Sequence, residues 1–343
     1  MAYVDRVIPE TCWEQKREDV NSYGINYFVL RDGWAGKLDD LQTLGVDVVY
    51  LTRTPEISSS SIRERLHTDR EIPGAKPISC IVTNHNGAAY LDKALMSLLN
   101  QRLPPAEIIV ADDASTDGSR HLIETYAKQY DHIRPIFRPH VLGVSQNRDM
   151  AIRAASCDWV TTLDSDDWFN PEKLAAESRV LAAFPDSVAC SDTALYDPQY
   201  RCFDRINSAP LCAMSVPQRV TAIVARQKMI PRDLLMPRWI YEEIGGFDHR
   251  LSMYEDWSFK IRMADQGVNY IHSGVSGTCY FRRGTGLSGG RWLPHLRGKI
   301  LALRSASHGL QHPAAFWLGV LKLFILKGPR KIVRVRKPNY EII

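Results

Sequence analysis

The chain has 343 residues, of which 45% are hydrophobic and 24% charged, and its formal net charge is +4 at pH 7. This is the composition of a soluble globular protein, and so small a charge argues against a nucleic-acid partner. The first residues, "MAYVDRVIPE", lack the apolar core of a signal peptide. No uncharged apolar run reaches the ~18 residues that a membrane span needs. We therefore expect a cytoplasmic protein.

The seven cysteines indicate free thiols. Their number is odd, their spacing is irregular and none forms a C-x-x-C pair; they stand at positions 12, 80, 157, 190, 202, 212 and 279. A disulfide framework or a zinc site would need paired, regular spacing. A reducing compartment is the interpretation that this pattern favours.

Composition divides the chain into four parts. Residues 1–68 alternate short strand-like and helix-like pieces, and residues 69–77, "DREIPGAKP", read as a linker because they hold two prolines and a glycine. Residues 78–290 keep a sustained alternation of strands and helices, and residues 291–343 are basic and apolar.

The third part predicts an α/β fold. Apolar runs predict strands over 78–83, 106–111 and 158–163, and helical spacing predicts helices over 88–101, 117–130 and 144–155. A further helix is predicted through about Phe184, with Asn170 as its N-cap and Pro171 at its first position. Strands and helices that alternate in this way form a mostly parallel sheet covered on both faces.

Two acidic loops follow predicted strands. "ADDASTDGS" (111–119) follows one strand and "DSDD" (164–167) follows another. Open α/β sheets bind ligands at the carboxyl ends of their strands, and carboxylates there suit Mg²⁺ or Mn²⁺ together with phosphate oxygens. The alternative is that these residues are simply good turn and helix-start residues.

Four blocks of sequence, in this order and spacing, resemble glycosyltransferase family 2. They are "ISCIVTNHNGAAYLDKALMSLLNQ", "EIIVADDASTDGS", "GVSQNRDMAIRAASCDWVTTLDSDDWFNPEKL" and "IGGFDHRLSMYEDWSFKIRMADQG". The resemblance covers about residues 78–285. It implies the GT-A fold, a nucleotide-binding α/β fold with a mostly parallel central sheet. It also implies transfer of a sugar from a nucleotide-sugar donor with inversion.

The resemblance assigns donor-binding residues. Thr83 and His85 would border the base and ribose of the nucleotide, and Asp113 would contact the base. Arg148 is retained from the family pattern and has two open interpretations, a contact with the donor phosphates or a structural ion pair. The family usually has an aromatic or small residue at the position of His85 and an asparagine at that of Asp149.

The metal and the catalytic base follow from the same resemblance. Asp164, Asp166 and Asp167 occupy the family's D-x-D motif, which holds Mn²⁺ or Mg²⁺ against the donor diphosphate. Asp256 in "YEDWSF" matches the general base, and Glu255 precedes it. The structural alternative is that both acids only favour a helix N-terminus.

Two less specific residues or segments lie near this site. Trp257 either walls the acceptor site or is a core residue. The loop "FRRGTGLSGGR" (281–291) stands where family members often carry a lid over the donor, so that Arg282 and Arg283 would meet the diphosphate.

Residues 5–66 resemble the C-terminal half of a glycerol-3-phosphate cytidylyltransferase, through "WEQKREDV", "DGWAGKLD" and "VVYLTRTPEISSSSIRERL". In that family the last of these pieces helps to hold nucleotide phosphates. The residues that match here are Arg53, Thr54, Ile57, Ser58, Ser59 and Ser60. The family's H-x-G-H motif is missing, which argues against cytidylyl transfer. We interpret the segment as a partial Rossmann-like remnant that invites a second copy of the chain; a chain start assigned too late is the other interpretation.

The C-terminal stretch "FWLGVLKLFILKGPRKIVRVRKPNY" (316–340) has seven Lys or Arg and no acidic residue. It is too short and interrupted to span a bilayer. Two interpretations stay open: a helix lying in the interface of an anionic membrane, or a helix packed on the domain with a solvated basic end.

The sequence therefore predicts an inverting, metal-dependent glycosyltransferase that uses a nucleotide-sugar donor, with UDP favoured. Its acceptor would be a hydroxyl of a cell-surface glycan or a lipid-linked molecule, and its place the cytoplasm or the inner face of the cell membrane. The rival from another class is a non-catalytic nucleotide-binding or scaffold subunit of an envelope-polymer complex.

Overall fold

The structure is a computed structural model, and it describes residues 27–31, 47–51, 72–227, 229–283 and 292–326. The chain divides into two compact units, Met1–Thr68 and Asp69–Ile343. In the first unit, strands β1 (Tyr27–Arg31) and β2 (Asp47–Leu51) form a parallel pair. The other residues of the cytidylyltransferase-like segment, including the serine run, lie outside the described residues.

A mostly parallel sheet forms the centre of the second unit. Its strands are β3 (Ile78–Asn84), β4 (Glu107–Asp112), β5 (Ile133–Phe137), β6 (Trp159–Asp164) and the two-residue β10 (Met236–Pro237). Their order is β10-β6-β3-β4-β5, and only the β10–β6 pairing is antiparallel within this sheet. Every residue of β3 is buried, as expected for a central parallel strand covered on both faces.

Helices pack on the faces of this sheet and of the second sheet described below. They are α1 (Ala88–Leu99), α2 (Ser119–Gln129), α3 (Val144–Arg153), α4 (Lys173–Ala183), α5 (Ala209–Cys212), α6 (Val216–Val224), α7 (Arg238–Glu243) and α8 (Glu255–Asp265). In α1 the buried residues Leu91, Leu95 and Leu98 recur at helical spacing. The predicted strands and helices between 78 and 155 are thus confirmed to within two residues.

A second sheet packs beside the first. Its strands are β7 (Trp168–Phe169), β8 (Ser187–Tyr196), β9 (Cys202–Ile206) and β11 (Asn269–Phe281), in the order β7-β11-β8-β9. The long strands β8 and β11 run parallel, as in the pair Ser187↔Asn269, although β9 and the helices α5 to α8 lie between them in the chain. This sheet brings the chain around 281 back beside the loop that follows β6.

The predicted cap of the helix before Phe184 is wrong. That helix, α4, begins at Lys173 after Glu172 and ends at Ala183. The Asn170 side chain instead donates to the backbone oxygen of Ser276 at 2.7 Å. Asn170 therefore ties this loop to β11, and that tertiary contact replaces the local helix cap that the sequence suggested.

The last two described helices of the second unit are α9 (Trp292–Ala306) and α10 (Pro313–Leu326). The Thr221 hydroxyl of α6 donates to the backbone oxygen of Ala315 in α10 at 2.9 Å, and Phe316 is buried in the core. This stretch therefore packs on the domain through residue 326, residues 327–343 lie outside the described part, and membrane binding stays a prediction. Among the described residues no helix has both the length and the apolar character needed to cross a bilayer.

The cysteines that the structure describes are free, as predicted. They are Cys80, Cys157, Cys190, Cys202, Cys212 and Cys279. Four of them are buried, where a thiol packs as a small apolar side chain.

Candidate active site

The candidate site lies where the order of the strands reverses. The chain runs outward from β3 through β4 and β5, then returns to place β6 on the other side of β3. Ligands of open α/β sheets bind at the carboxyl ends of strands at such a point. Thr83 of β3 stands in register with Asp164 of β6, and its hydroxyl donates to the Asp164 carboxylate at 3.2 Å. A cavity of about 1250 Å³ opens here.

Three carboxylates that follow β6 converge at this edge. One oxygen from each of Asp164, Asp166 and Asp167 lies within 4.8 Å of the others. Burial raises the pKa of Asp166, and the charge of Asp164 adds to that effect. Burial also raises the pKa of Asp167, which Arg232 only partly offsets. Like charges held this close disfavour one another's ionised form unless a cation joins them.

Arg232, which the sequence analysis did not single out, binds two of these carboxylates. Its guanidinium lies 3.2 Å from Asp164 and 3.0 Å from Asp167, and 4.0 Å from the ring centroid of Tyr280. The second Asp167 oxygen accepts the backbone N–H of Phe281 at 2.8 Å. The signal that could have revealed Arg232 is the charged pair inside the apolar stretch "MIPRDLLMP" (229–237).

Arg283 faces the remaining carboxylate. Its guanidinium lies 2.7 Å from Asp166 and 4.9 Å from the ring centroid of Tyr90. The neighbouring Arg282 has an exposed side chain. The rest of the expected lid, residues 284–291, lies outside the described residues. Of the two arginines named from the sequence, Arg283 is the one brought to the acidic cluster.

The donor set fits a hard divalent cation. The side chains of Asp164 and Asp166 are 33% and 18% exposed, whereas that of Asp167 is fully buried. Mg²⁺ and Mn²⁺ prefer carboxylate oxygens and keep other positions for water or phosphate oxygens. The two accessible carboxylates have the chemistry and the access for such an ion. Both oxygens of Asp167 already accept hydrogen bonds, from Arg232 and from the Phe281 N–H. Asp167 therefore stabilises the turn on which Asp164 and Asp166 lie.

Glu255 and Asp256 begin helix α8, as the resemblance implies. Tyr254, the residue before the helix, has a left-handed backbone with φ of 66°, a conformation that turns the chain sharply and is unfavourable for a bulky residue. The Glu255 carboxylate is buried and accepts a hydrogen bond from Arg148 at 2.6 Å. The Asp256 side chain is 50% exposed and pairs with Lys260 at 3.1 Å.

Arg148 joins the two acidic groups. It lies on α3 with only 8% of its side chain exposed, and it donates to both Asp164 and Glu255. Of its two open interpretations, the structural ion pair is the one observed. Arg148 thus links the carboxylates after β6 to the start of α8. Both groups line the same cavity.

The pKa values of the two acids of α8 shift in opposite directions. Burial would raise the pKa of Asp256, but Lys260, Arg148 and Arg232 outweigh it and hold that pKa below its usual range. Burial raises the pKa of Glu255, and Arg148 offsets only part of the effect. Asp256 is therefore ionised throughout the neutral range. It is also the more exposed of the two, and so the better placed to accept a proton from a ligand.

The residues expected to contact the nucleotide line the same cavity, which includes Thr83, His85 and Asp113. The His85 Nδ1–H donates to the backbone oxygen of Asp113 at 2.7 Å. The Asp113 carboxylate accepts the backbone N–H groups of Leu142 and Gly143 at 2.8 and 2.9 Å. Asp113 thus fixes the loop before α3, and the base-contacting role assigned to it stays a prediction.

Two other residues discussed from the sequence belong to the core. Asp149 accepts hydrogen bonds from Tyr241 at 2.7 Å and Arg153 at 2.8 Å, which gives the departure from the family's asparagine a structural reason. Trp257 is 4% exposed and donates to the backbone oxygen of Ile223 at 2.7 Å. Of the two interpretations of Trp257, the core residue is the one observed.

Parts of the chain are similar in sequence to known proteins. Residues 79–208 match the family model "Glycosyl transferase family 2". A putative teichuronic acid biosynthesis glycosyltransferase of Bacillus subtilis, TuaG, is 33% identical over 100 residues, which are 29% of this chain and 40% of that protein. The cytidylyltransferase-like segment is matched over 64 residues by glycerol-3-phosphate cytidylyltransferase of B. subtilis, at 48% identity, over 19% of this chain and 49% of that protein. The chain spans less than half the length of these curated relatives.

Solved structures show the fold. The S. aureus TarS 1–349 structure in complex with UDP-GlcNAc superposes with a TM-score of 0.56 at 17% identity, over 72% of each chain. GalNAc-T7 with UDP, GalNAc and Mn²⁺ superposes with a TM-score of 0.52 at 15% identity, over 68% of this chain and 48% of that one. Residues 79–208 are therefore similar in sequence to the family 2 glycosyltransferases, and the second unit has the GT-A fold of these structures.

Proposed function

We propose that the protein is an inverting glycosyltransferase that moves a sugar from a nucleotide-diphosphate donor, UDP being the favoured nucleotide. The observation that carries the proposal is that Asp164 and Asp166 share one cavity with Asp256. A reaction of this kind needs both a site for the leaving diphosphate and a base for the incoming hydroxyl. The complexes of TarS with UDP-GlcNAc and of GalNAc-T7 with UDP support the choice of donor.

Asp256 is the proposed general base. Its ionised, half-exposed carboxylate accepts the proton of the acceptor hydroxyl as that oxygen attacks the anomeric carbon from the face opposite the leaving group. Glu255 positions the base, because its buried carboxylate binds Arg148 and so fixes the start of α8. Lys260 orients the Asp256 carboxylate from one turn further along the helix.

Asp164 and Asp166 are the proposed ligands of Mn²⁺ or Mg²⁺, with Asp167 supporting them. When bound, the cation supplies the positive charge that stabilises the leaving diphosphate. Arg283 stands beside Asp166 and adds a second positive charge at the same end of the cavity. Thr83, His85 and Asp113 are the proposed walls of the nucleotide end. The structure of GalNAc-T7 with Mn²⁺ supports the metal proposal.

The proposed biological setting is the synthesis of a bacterial surface polymer at the inner face of the membrane. The similarity to a teichuronic acid glycosyltransferase supports the setting. A membrane surface is the proposed partner of α10, whose exposed face carries Trp317, Leu318, Leu321 and Phe324. A second copy is the proposed partner of the N-terminal segment, because only part of a cytidylyltransferase is matched there and a partial sheet would leave an edge that invites pairing.

The test is donor turnover by an Asp256→Asn variant, with Glu243→Gln on the exposed side of α7 as the matched control. A panel of nucleotide sugars is screened with Mn²⁺, with Mg²⁺ and with EDTA. We expect Asp256→Asn to reduce turnover by about 10²- to 10⁴-fold while UDP affinity changes little, and the control to keep wild-type activity. Wild-type turnover by Asp256→Asn would refute the proposed base.

A non-catalytic nucleotide-binding subunit is the second candidate. The observation that favours it is the engagement of Asp164 by both Arg148 and Arg232, since such ion pairs compete with a metal for the same oxygens. The two candidates differ in one measurement. A subunit of this kind binds UDP at the same cavity but turns over no donor with any metal, whereas the enzyme does both.

A further inference from the structure

The turn that leads into the helix of the proposed base is strained. Tyr254, the residue before α8, has a left-handed backbone with φ of 66°, a conformation that a tyrosine keeps only where its surroundings hold it. Its backbone oxygen accepts the N–H of Ser258 at 3.0 Å, the hydrogen bond that starts the helix. The conformation of Tyr254 therefore sets the direction in which α8 leaves the turn, and with it the position of Asp256.

Helix α9 contributes a hydrogen bond to this tyrosine. The Nδ1 atom of His295 lies 2.8 Å from the Tyr254 hydroxyl, and the centroids of the two rings are 6.0 Å apart. Both residues line the cavity that contains Asp256. They are 41 positions apart in the chain, so the contact depends on how α9 packs on α8 and not on local sequence.

Gly298 lets the backbone of α9 lie directly on the same ring. A Cβ at Gly298 would stand 3.0 Å from Cδ2 and 3.2 Å from Cε2 of Tyr254, so the helix could not approach as closely with a larger residue there. Gly298 follows His295 by three positions, which places the two residues on one face of the helix. Both therefore contact Tyr254 through the same face of α9.

A second set of contacts holds α9 against α8. The Ser305 hydroxyl, near the end of α9, accepts a hydrogen bond from the Ser258 hydroxyl at 3.3 Å. It donates to the carboxylate of Asp248, in the segment that leads into α8, at 2.6 Å. Helix α9 is thus fixed to α8 and to the chain before it at two points, beside Tyr254 and beside Ser258.

The position of Asp256 depends on such support. Its carboxylate is 50% exposed, and its ion-pair partner Lys260 lies on the same helix. Lys260 orients the carboxylate within α8 but does not fix α8 in the cavity. The pair of Glu255 with Arg148 ties the helix to α3, and Tyr254 ties it to α9. A reacting group displaced by about 1 Å loses about 10²-fold in rate, so each of these ties matters to the reaction.

We propose that His295 is a positioning residue for Asp256, which acts through the Tyr254 hydroxyl and without contact with the substrate. Its hydrogen bond holds the left-handed turn, so that the Asp256 carboxylate faces the acceptor hydroxyl. The inference rests on the proposed function. It extends the site beyond the family match at residues 79–208 to a helix that the match does not include.

The experiment is a double-mutant cycle with His295→Ala, Tyr254→Phe and the two combined. His295→Asn is the conservative variant, because the asparagine amide both donates and accepts hydrogen bonds near the position of Nδ1. His308→Ala is the matched control, since His308 is exposed, lies beyond the end of α9 and does not line the cavity. The measurements are kcat and KM for the donor, UDP affinity, and hydrogen exchange of the amides at the start of α8.

We expect His295→Ala and Tyr254→Phe each to lower kcat about tenfold, less than the loss of about 10²-fold for a full 1 Å displacement. KM and UDP affinity should stay within about twofold of the wild type, because the hydrogen bond does not touch the residues proposed to hold the donor. The double variant should lose no more than either single variant. His295→Asn should recover most of the rate, and His308→Ala should match the wild type. Exchange at the start of α8 should be faster in both single variants.

Unchanged kcat in His295→Ala would overturn the proposal, and so would a rise in KM in place of the fall in kcat. A double variant whose loss is the product of the two single losses would also overturn it, because His295 would then act independently of Tyr254. If the wild type turns over no donor, the proposed transferase fails and hydrogen exchange decides. Faster exchange at the start of α8 in both single variants then supports the positioning role, and unchanged exchange refutes it.

Discussion

Arg148 is the side chain on which the geometry of the site most depends. Only 8% of the Arg148 side chain is exposed, and its guanidinium neutralises Asp164 on one side and Glu255 on the other. Breaking a buried pair by removing one partner costs far more than breaking a surface pair, because the remaining charges stay desolvated. Loss of Arg148 should therefore both displace Asp164 and Glu255 and lower the free energy of unfolding of the domain.

Replacing Arg148 with methionine should destabilise the protein by about 3–5 kcal/mol. Arg238→Met is the matched control, because its pair with Glu242 lies within one helix and both side chains are partly exposed, at 32% and 47%; exposed pairs contribute about 0–1 kcal/mol. Urea unfolding followed by circular dichroism measures both values. Equal losses for the two variants would show that the shared ion pair is not a major source of stability.

Lys260 should set the pH dependence of activity through its effect on the pKa of Asp256. The lysine, with Arg148 and Arg232, holds the pKa of Asp256 below its usual value against the effect of burial. A lowered pKa keeps the carboxylate ionised down to more acidic pH, so the wild type should lose little activity between pH 7 and pH 5 through Asp256. Lys260→Met removes the nearest cation and should raise the pKa of Asp256. The acidic limb of the pH–rate profile should therefore move to higher pH.

The measurement is the pH profile of the single-turnover rate at saturating donor. Lys260→Arg keeps the positive charge and should keep the wild-type profile, while Lys260→Met should shift the acidic limb by about one pH unit or more. If Lys260→Met lowers the rate equally at every pH, the lysine acts on structure and not on the protonation of Asp256.

At the scale of elements, local pattern predicted the first half of the domain well. The apolar runs and helical spacing of 78–155 are signals that each segment carries by itself, and β3, α1 and α3 form almost where those signals place them. The carboxylates at 164–167 could be placed at a strand end for the same reason. What local pattern could not predict was which distant segments would meet them.

The missed contacts all depend on pairings between remote segments. Arg232 reaches Asp167 across 65 residues, and the Phe281 N–H reaches it across 114. No periodicity within 229–237 or 269–281 encodes those partners, because they depend on the pairing of β10 with β6 and of β11 with β8. The same limit explains why Asn170 was expected to cap a helix when it binds β11 instead.

Packing of α10 on α6 should depend on Gly319. A Cβ at that position would lie 2.6 Å from the Val224 Cβ and 2.9 Å from the Thr221 backbone oxygen, so Gly319→Leu should separate the helices and cost about 1–3 kcal/mol. Ala314→Leu, on the exposed side of α10, is the matched control and should change little. Urea unfolding and the rate of proteolysis near α10 report the effect. Unchanged stability of Gly319→Leu would mean that α10 contributes little to the core.

At the scale of the whole molecule, charge and apolar surface coincide at one end of the sequence. Residues 266–340 hold thirteen Lys or Arg and no Asp or Glu. Within this stretch α9 exposes Trp292 and Ile300, and α10 exposes Trp317 and Leu321. An exposed apolar face on a cationic segment suits an anionic lipid surface. It suits a second copy of the same chain less well, because two such faces would repel each other.

The protein should therefore bind vesicles of equimolar phosphatidylglycerol and phosphatidylcholine more tightly than vesicles of phosphatidylcholine alone. The double variant Trp317→Ser/Leu321→Ser should bind the anionic vesicles at least about tenfold more weakly, since burying a large apolar side chain contributes about 1.5–3 kcal/mol. Phe203→Ser is the control, because Phe203 is also exposed but lies on β9. Co-sedimentation at low and at high NaCl concentration separates the apolar from the electrostatic contribution to vesicle binding, because salt should weaken the electrostatic one. If the double variant sediments with the vesicles like the wild type, the face does not insert. If it instead changes only the oligomeric state in light scattering, the face joins two copies of the chain and the charge argument against that pairing is wrong.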